Sequence, residues 1–523
     1  MHHIFFLALA IGALTPLSAY AVPPEKIRFI VKDFQVEGAM PISPNDANLL
    51  LSRFKGKEYG INDLLDVSLQ LERLIRDSGF AFYRVILPPQ DVNNGQITLK
   101  VIPIALGSIE IKGNKYFDEE NIIASVPELK LADSPNTVYL TNQIKVANNH
   151  PNKEINVVFK QGDLADEVVA KVDIIDSDPS QYSLSINNSG SDDTGNMRVT
   201  GGYQYSNLWN KDHRINLNYT TSPNHTRDVR QYGFNYAIPF YKYNSWLSSY
   251  YAKSDVDTGQ LSLGESTLDV SGTGEMFGFH YTTTLHNIEA YNHQFDIGFD
   301  NRFFNNTVLF SAVGFNAVDI APEVRSTPLT FTYSGSTKWN GFTLGHNLSW
   351  SKNMKVGSRN DDVAYLESRS DAKASWDLIR YGAFAVLNSG NWQFRANLNG
   401  QYSNEPLISG EQFGIGGSSS VRGYNEREAG SDIGQNLTLE AYAPAWHGLN
   451  LLAFYDYGQG RSHNIVTAAD IKDQWHLASI GLGLRWLWQG KVQTSLDWGH
   501  TLRQGVATSD NHNHIHASVS LQF

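Results

Sequence analysis

From about residue 181 to the C-terminus, apolar and polar side chains alternate with period two through one segment after another. Trp392, Phe394, Ala396 and Leu398 fall on one side of a strand, and Gln393, Arg395, Asn397 and Asn399 on the other. Ile215, Leu217 and Tyr219 against Asn216 and Asn218 repeat the pattern, as do Phe295, Ile297 and Phe299 against Asp296, Gly298 and Asp300. Ile480/Leu482/Leu484/Trp486/Trp488 and Val492/Thr494/Leu496/Trp498 continue it. Successive side chains of a strand point to opposite faces, so each segment carries one apolar and one polar face. An apolar face on every strand suits lipid outside and a watery lumen inside. Such a sheet has to close on itself, because an open edge in lipid leaves backbone groups unpaired at several kcal/mol each. The pattern therefore predicts a transmembrane β-barrel. At about 20 residues per strand and connection it has room for about 16 strands. The alternating runs number sixteen to eighteen, with Val308–Phe315 the poorest match.

Composition narrows the alternatives. The chain holds 26 Phe, 25 Tyr, 11 Trp and 43 Gly with only 18% charged residues, which fits a lipid-facing β wall. Past the first residues no apolar run reaches the roughly 18 residues of a membrane-spanning helix. A net charge of −12 argues against a nucleic-acid binder. With no cysteine, disulfide scaffolds, thiolate metal sites and cysteine nucleophiles are excluded. Gly416-Gly417-Ser418-Ser419-Ser420 lacks the closing glycine of a nucleophile elbow, and there is no P-loop. His512, His514 and His516 share a strand face and could ligate a metal, but they oppose Ile515, Ala517 and Val519 and read as polar lumen residues. Neither an enzyme, a cofactor nor a metal is expected.

The N-terminus carries an address. Ile4–Leu14 is apolar but too short to span, and Ala19-Tyr20-Ala21 offers the small-x-small pattern of signal-peptidase cleavage. Residues 1–21 read as a signal peptide, with Val22 the mature start.

Between Phe29 and about Ser180 the pattern is mixed α/β and repeats. Phe29–Gly38 reads as a strand and Ile61–Ser78 as a helix whose buried face carries Ile61, Leu64, Leu65, Ser68, Leu71 and Ile75. Gly79 ends that helix. Strands Phe80–Leu87 and Gln96–Ile102 come next. Leu106–Lys112 opens a second round, with helices at Asp118–Val126 and Leu140–Asn148 and strands at Glu154–Lys160 and Val168–Ile174. Two β-α-α-β-β modules result, at 22–104 and 105–179, ahead of a barrel at 180–523.

The details resemble a known family. Gly79-Phe80…Leu87-Pro88-Pro89-Gln90-Asp91…Gly95-Gln96-Ile97 resembles the close of the first POTRA domain of two-partner secretion transporters, and Ile109-Glu110-Ile111-Lys112-Gly113-Asn114…Phe117 the opening of the second. Asn187-Asn188-Ser189-Gly190 with Thr194-Gly195 and Arg198 is similar to their first barrel hairpin. Val421-Arg422-Gly423-Tyr424, in a glycine-rich stretch read as strandless from 404 to 434, resembles the sixth-loop motif of the Omp85 superfamily. Phe454-Tyr455-Asp456-Tyr457-Gly458 resembles its F-x-D-x-G motif. Leu451, Ala453, Tyr455 and Tyr457 share the lipid parity, so Asp456 points into the lumen, where it can form a charge-assisted bond to Arg422. The final strand, Ile515–Phe523, ends on an aromatic residue, which resembles the signal read by the outer-membrane assembly machinery.

On these motifs the chain is identified as a member of the TpsB family, the haemolysin activation/secretion type of outer-membrane pore. The resemblance implies a 16-stranded barrel in outer-membrane lipid and two periplasmic POTRA domains that receive a large haemolysin- or adhesin-like exoprotein for delivery to the surface. Backbone pairing at the strands Phe80–Leu87 and Gln96–Ile102 is a sequence-tolerant way to hold such a client. Many members carry a plug helix ahead of the first POTRA domain. Here Pro23-Pro24 leads almost directly into the first strand, so either something else limits leakage, with loop six the candidate, or the pore is narrower. Alternatives are another Omp85 protein that inserts barrels, or a receptor or porin for small solutes.

Overall fold

The computed structural model describes residues 28–523 apart from 93, 165, 192–193, 256–257, 264–265, 272, 306–307, 311–317, 321–322 and 464–472. The expected signal peptide and its cleavage point lie outside these residues. Two compact units emerge, one made chiefly of the chain up to Ala105 and the other of most of the remainder.

The first unit has a three-stranded sheet in the order β1 (Asp33–Gly38), β3 (Gln96–Pro103), β2 (Tyr83–Ile86), with β1 parallel and β2 antiparallel to β3. The strand expected over Phe29–Gly38 is broken at Val31-Lys32, and its first part, Arg28–Ile30, pairs with Glu58–Gly60. Helix α1 (Pro44–Ser52) starts where the Ser43 side chain accepts from the Asn45 N–H and Pro44 presets the first turn. Helix α2 (Ile61–Asp77) is capped by Asp63, which accepts from the Gly60 N–H at 2.8 Å. Leu64, Val67, Leu71 and Ile75 of α2 are buried with Ile97, Leu99 and Val101 of β3. Each such side chain contributes about 1.5–3 kcal/mol. Two residues expected on that face are not on it: Ile61 and Leu65 are exposed. Leu65 lies about 100° round the helix from Leu64, off the stripe, and Ile61 opens the first turn.

The second unit begins with the other α/β module. Its sheet runs β4 (Ala105–Lys112), β6 (Glu167–Asp176), β5 (Lys153–Gln161), with helices α3 (Glu119–Ser125) and α4 (Thr137–Ala147) between β4 and β5 in the chain. Asp118 caps α3 by accepting from the Asn121 N–H at 2.8 Å.

The same unit continues as a closed antiparallel barrel of sixteen strands. They are β7 (Ser180–Asn187), β8 (Arg198–Leu208), β9 (His213–Thr221), β10 (Arg230–Phe240), β11 (Ser245–Ser254), β12 (Gly274–Thr284), β13 (Tyr291–Asn305), β14 (Glu323–Ser326 resuming as Pro328–Trp339), β15 (Phe342–Asn353), β16 (Asp377–Ser389), β17 (Trp392–Ser403), β18 (Ile433–Tyr442), β19 (Leu449–Arg461), β20 (Gln474–Trp488), β21 (Val492–Thr501) and β22 (Asn513–Gln522). The two parts of β14 count as one strand because both pair with β13 in one register, Arg302 opposite Ser326 and Phe299 opposite Leu329. β22 returns to β7, from Ser518 opposite Asn187 to Gln522 opposite Ser183. The Asn188 amide extends this seam by donating to the Ile515 carbonyl and accepting from the Ala517 N–H.

The wall alternates as the sequence does. Leu451, Tyr455, Leu482, Trp498 and Ile515 are exposed on the outside, while Asp456, Asp497 and His516 are buried inward. Among the described residues no helix is long and apolar enough to cross a membrane. The expected strand at Val308–Phe315 is not part of the wall. Val308–Phe310 instead pairs with Val318–Ile320 in a small hairpin of its own, and residues 311–315 lie outside the described set. Turns at the end carrying the second module are short; long loops gather at the other, and the sixth of these joins β17 to β18.

Candidate functional site: a loop pinned against the inner wall

Loop six leaves β17 at Ser403 and rejoins the wall at Ile433. It is not strandless as the glycine content suggests: Phe413–Ile415 pairs with Ala429–Ser431, a hairpin that carries the tip. Ile415, Val421 and Tyr424 are fully buried and pack with Leu477 of β20, so the tip lies on the barrel wall. At its base the loop also buries Leu407 and Ile408 with Phe304, Tyr365 and Trp376, and at the tip specific bonds add to the packing.

Arg422 supplies them. Its Nε donates to Asp456 Oδ2 at 2.8 Å and its Nη2 to Asp456 Oδ1 at 2.9 Å, while its backbone N–H reaches Oδ2 at 3.1 Å. This is the parallel fork for which a guanidinium is shaped and an ammonium is not. The remaining nitrogen, Nη1, donates to Glu440 on β18 at 2.9 Å and lies 3.6 Å from Asp497 on β21. The guanidinium plane also sits 3.5 Å from the centroid of the Phe454 ring, within cation–π range. Asp497 is shared with Arg485, which holds it through two bonds of 2.8 Å. Removing one member of a buried pair can cost about 3–5 kcal/mol, and less where lumen water reaches the survivor.

The neighbours of Arg422 complete the seat. The Gly423 N–H donates to His516 Nε2 at 3.1 Å, so this ring nitrogen is the unprotonated one. Tyr424 donates to the carbonyls of Ala478 and Arg503 at 3.0 and 2.7 Å and accepts from the Ala478 N–H. Two glycines admit the loop by having no side chain. A Cβ on Gly458, the last residue of F-x-D-x-G, would lie 2.8 Å from Val421 Cγ2, and one on Gly499 would lie 2.7 Å from the Gly423 nitrogen.

Acids fix the loop at three further points. Glu411 is fully buried and accepts from Arg302 at 2.8 Å and Ser326 at 2.6 Å. Asp432, also fully buried, takes both terminal nitrogens of Arg369 and the N–H groups of Leu407 and His463. Glu428 accepts from Ala507 N, Thr508 N and Thr508 Oγ1.

Of the residues singled out in the sequence, Val421, Arg422, Gly423, Tyr424, Phe454, Asp456 and Gly458 meet at this one place. His516 joins them through its ring. Arg198 instead closes the first hairpin, donating to the Gly195 carbonyl at 2.6 Å and Thr194 Oγ1 at 2.7 Å. Phe523 exchanges backbone bonds with Tyr182 at 2.8 and 3.0 Å and stacks on its ring, at the start of β7. The two strands expected to receive a client differ. Gln96–Ile102 falls in β3, the central strand, which pairs with β1 along 96–101 and with β2 from Lys100 on, while the Gln90 side chain takes the Thr98 N–H and carbonyl between. Phe80–Leu87 shortens to β2, which is an edge strand. Glu440, Asp497, Glu411 and Asp432 carried no motif. Their one signal was an acid at lumen parity or inside a glycine-rich loop.

Comparison with known proteins bears on what this seat serves. A family profile described as haemolysin secretion/activation protein ShlB/FhaC/HecB matches residues 168–486, and one for the ShlB-type POTRA domain matches residues 29–103. The heme/hemopexin transporter protein HuxB of Haemophilus influenzae (strain 86-028NP) is 23% identical over 497 residues, covering 88% of this chain and 81% of the relative. The outer membrane transporter CdiB of Dickeya dadantii (strain 3937) is 21% identical, with 90% and 82% covered. The solved structure of CdiB from Escherichia coli shares the fold, with a TM-score of 0.72 at 16% identity over 98% of this chain and 93% of that one.

Proposed function

The chain belongs to the ShlB/FhaC/HecB family of haemolysin secretion/activation proteins, and we propose that it serves one large exoprotein, receiving it in extended form and passing it through a lumen in which loop six is seated on the wall. As a two-partner secretion transporter it stands in the outer membrane with its POTRA modules in the periplasm. A protein chain is moved and no covalent bond is made or broken. Outer-membrane lipid surrounds the exposed Trp, Leu and Tyr belt of the wall, and the assembly machinery reads the last strand, ending at Phe523, before the barrel closes. Residues 1–21 direct export and are removed.

Client capture falls to β2 of the first module, because it is an edge strand, whereas β3 is central and the Thr98 backbone on its unpaired stretch is already held by Gln90. Glu72 of α2 already accepts from the Val85 N–H at 3.0 Å, so an incoming strand displaces a side chain rather than a neighbouring strand. The observation that carries the reading is the seat of loop six, in which one arginine is bound by acids from three separate wall strands. The test is co-expression of the full chain with a large exoprotein from the same genome, scoring passenger outside the cell. Passenger outside cells with the intact chain, and retained within cells lacking it, is the expected result. Export that continues without this chain would refute the assignment. Deleting Phe523 should lower the amount of heat-modifiable barrel in the outer membrane, and normal levels would remove the assembly role given to the terminal strand.

A further inference from the structure

A second buried charge cluster lies at the opposite end of the barrel, within the second unit. The turn between β8 and β9 holds Trp209, Asn210 and Asp212 at φ of 58, 57 and 56°, a left-handed backbone that L residues other than Asn and Asp seldom adopt. Residues of the second α/β module grip this turn from several directions. Lys153, at the start of β5, is fully buried and spends its three protons on Asp212 Oδ2 (2.5 Å), Asn121 Oδ1 (2.6 Å) and Ser125 Oγ (2.7 Å). An ammonium has three donors, so none is left over. Asp212 accepts in addition from the Asn121 amide at 2.8 Å and from Tyr241, on the next turn of the barrel, at 2.5 Å. His150 donates through Nε2 to the Ser206 carbonyl at 2.7 Å and accepts at Nδ1 from the Asn152 N–H, so both ring nitrogens are used by a neutral ring. At the rim, Asn210 donates to Asp118 at 2.8 Å.

The consequence is positional. The docked module places the end of α4 over the lumen mouth, where Lys145, Asn148 and Asn149 face Asn292, Asn347 and Asn399 across a vestibule of about 720 Å³. Opening the joint would strand a lysine and an aspartate that now satisfy each other, along with the amides and hydroxyls around them.

We infer that the second POTRA module stays docked to the β8–β9 turn through transport, as a fixed part of the lumen mouth held by Lys153 and Asp212, and that the client passes alongside α4 instead of swinging in with the module. Lys153 and Asp212 are positioning residues here and touch no client. The inference rests on the transport reading above, but its first readout, the state of the joint in purified full-length protein, does not depend on export.

The chain has no cysteine, so Asp118→Cys with Asn210→Cys gives one addressable pair at the rim; both positions border the cluster, Asp118 as the cap of α3 and Asn210 through its bond from the Asn121 amide, so the unlinked double mutant is the reference for every comparison. A short bifunctional thiol reagent should link this pair efficiently in the full chain. In cells, linked protein should export passenger within about twofold of the unlinked double mutant. A tenfold loss on linking, restored when a cleavable linker is cut, would overturn the inference. Adding Lys153→Met should reduce linking and lower export at least tenfold, with the barrel still inserted and heat-modifiable. Adding Asp212→Asn as well removes the stranded acid while suiting the left-handed backbone, and should recover both linking and most export. Unchanged linking in the Lys153→Met protein would deny the cluster its holding role, and wild-type export with linking lost would deny that docking matters.

Discussion

Arg422 and Lys153 are each a cation held out of water in the same unit, yet their surroundings differ. Lys153 meets one acid and two neutral acceptors, so charge is balanced one to one. Arg422 lies among Asp456, Glu440 and Asp497, with Arg485 the only other cation in contact with this group among the described residues. A balanced pair has one good arrangement and resists opening. A surplus of acid leaves the arginine compensated even if the loop tip shifts along the wall. The comparison separates a joint in which one lysine matches one acid from a seat in which one arginine faces three.

The largest effect expected at the seat comes from shortening the arginine. Arg422→Ala leaves Asp456 beside two further acids, and export should fall at least tenfold while the barrel remains inserted. Arg422→Lys keeps the charge but loses the fork, and should recover only a minor part of that loss. Full recovery by lysine would show that charge alone holds the tip, making the seat resemble the joint more closely than its fork geometry implies. Passenger release and the heat-dependent gel shift report the two halves of this prediction.

A smaller loss is expected from Gly458→Ala. The added methyl would lie 2.5 Å from Ile415 Cγ2 and 2.8 Å from Val421 Cγ2, so the hairpin must lift from the wall. Export should drop a few-fold, with Arg422 still paired. Wild-type export would mean that the tip tolerates displacement and that its packing adds little to the ion pair.

The smallest effect is one of pH at the joint. Burial drives His150 from 6.5 down to about 4; Asp212, 3.9 Å away, pulls upward, while Lys153 and Arg214 push down. The undocked ring binds a proton near 6.5 and the docked ring does not until about 4. The docked state therefore loses stability as pH falls through that window, by at most about 2 kcal/mol at pH 5. Asp212 acts lower still: burial would raise its carboxyl, but Lys153 holds it below its usual 3.8, so its share is lost only in stronger acid. Backbone hydrogen exchange over residues 206–212 should quicken between pH 7.5 and pH 5, and His150→Gln should flatten that change. Equal exchange at both pH values would place a charged ring in the docked state.

How much of the molecule was legible depends on where each signal sits in the chain. Period-two alternation survives in any window, so the wall and its inward face could be read from Leu451 through Gly458 alone. V-R-G-Y and F-x-D-x-G are contiguous, and parity was enough to aim Asp456 at Arg422. Glu440, Asp497 and His516 reach the same place only because β18, β21 and β22 are brought round by closure; their local pattern marks them as lumen-facing and no more. Lys153 and Asp212 look like solvated surface charges in sequence; they become a pair when a module helix, a strand start and a barrel turn meet. The hairpin inside loop six was hidden by Gly414, Gly416, Gly417 and Gly430, since glycine weakens every strand signal. Val308–Phe310 has strand character, but its partner is Val318–Ile320 rather than the wall.

The most direct test of the seat is a double-mutant cycle on export, using Arg422→Ala, Asp456→Ala and both together, with outer-membrane insertion checked in each strain. If the two residues act through one contact, each single mutant loses most export and the double mutant is no worse than the poorer single within about twofold. Losses that multiply in the double mutant, or export at the wild-type level by Arg422→Ala, would contradict a loop held by this pair.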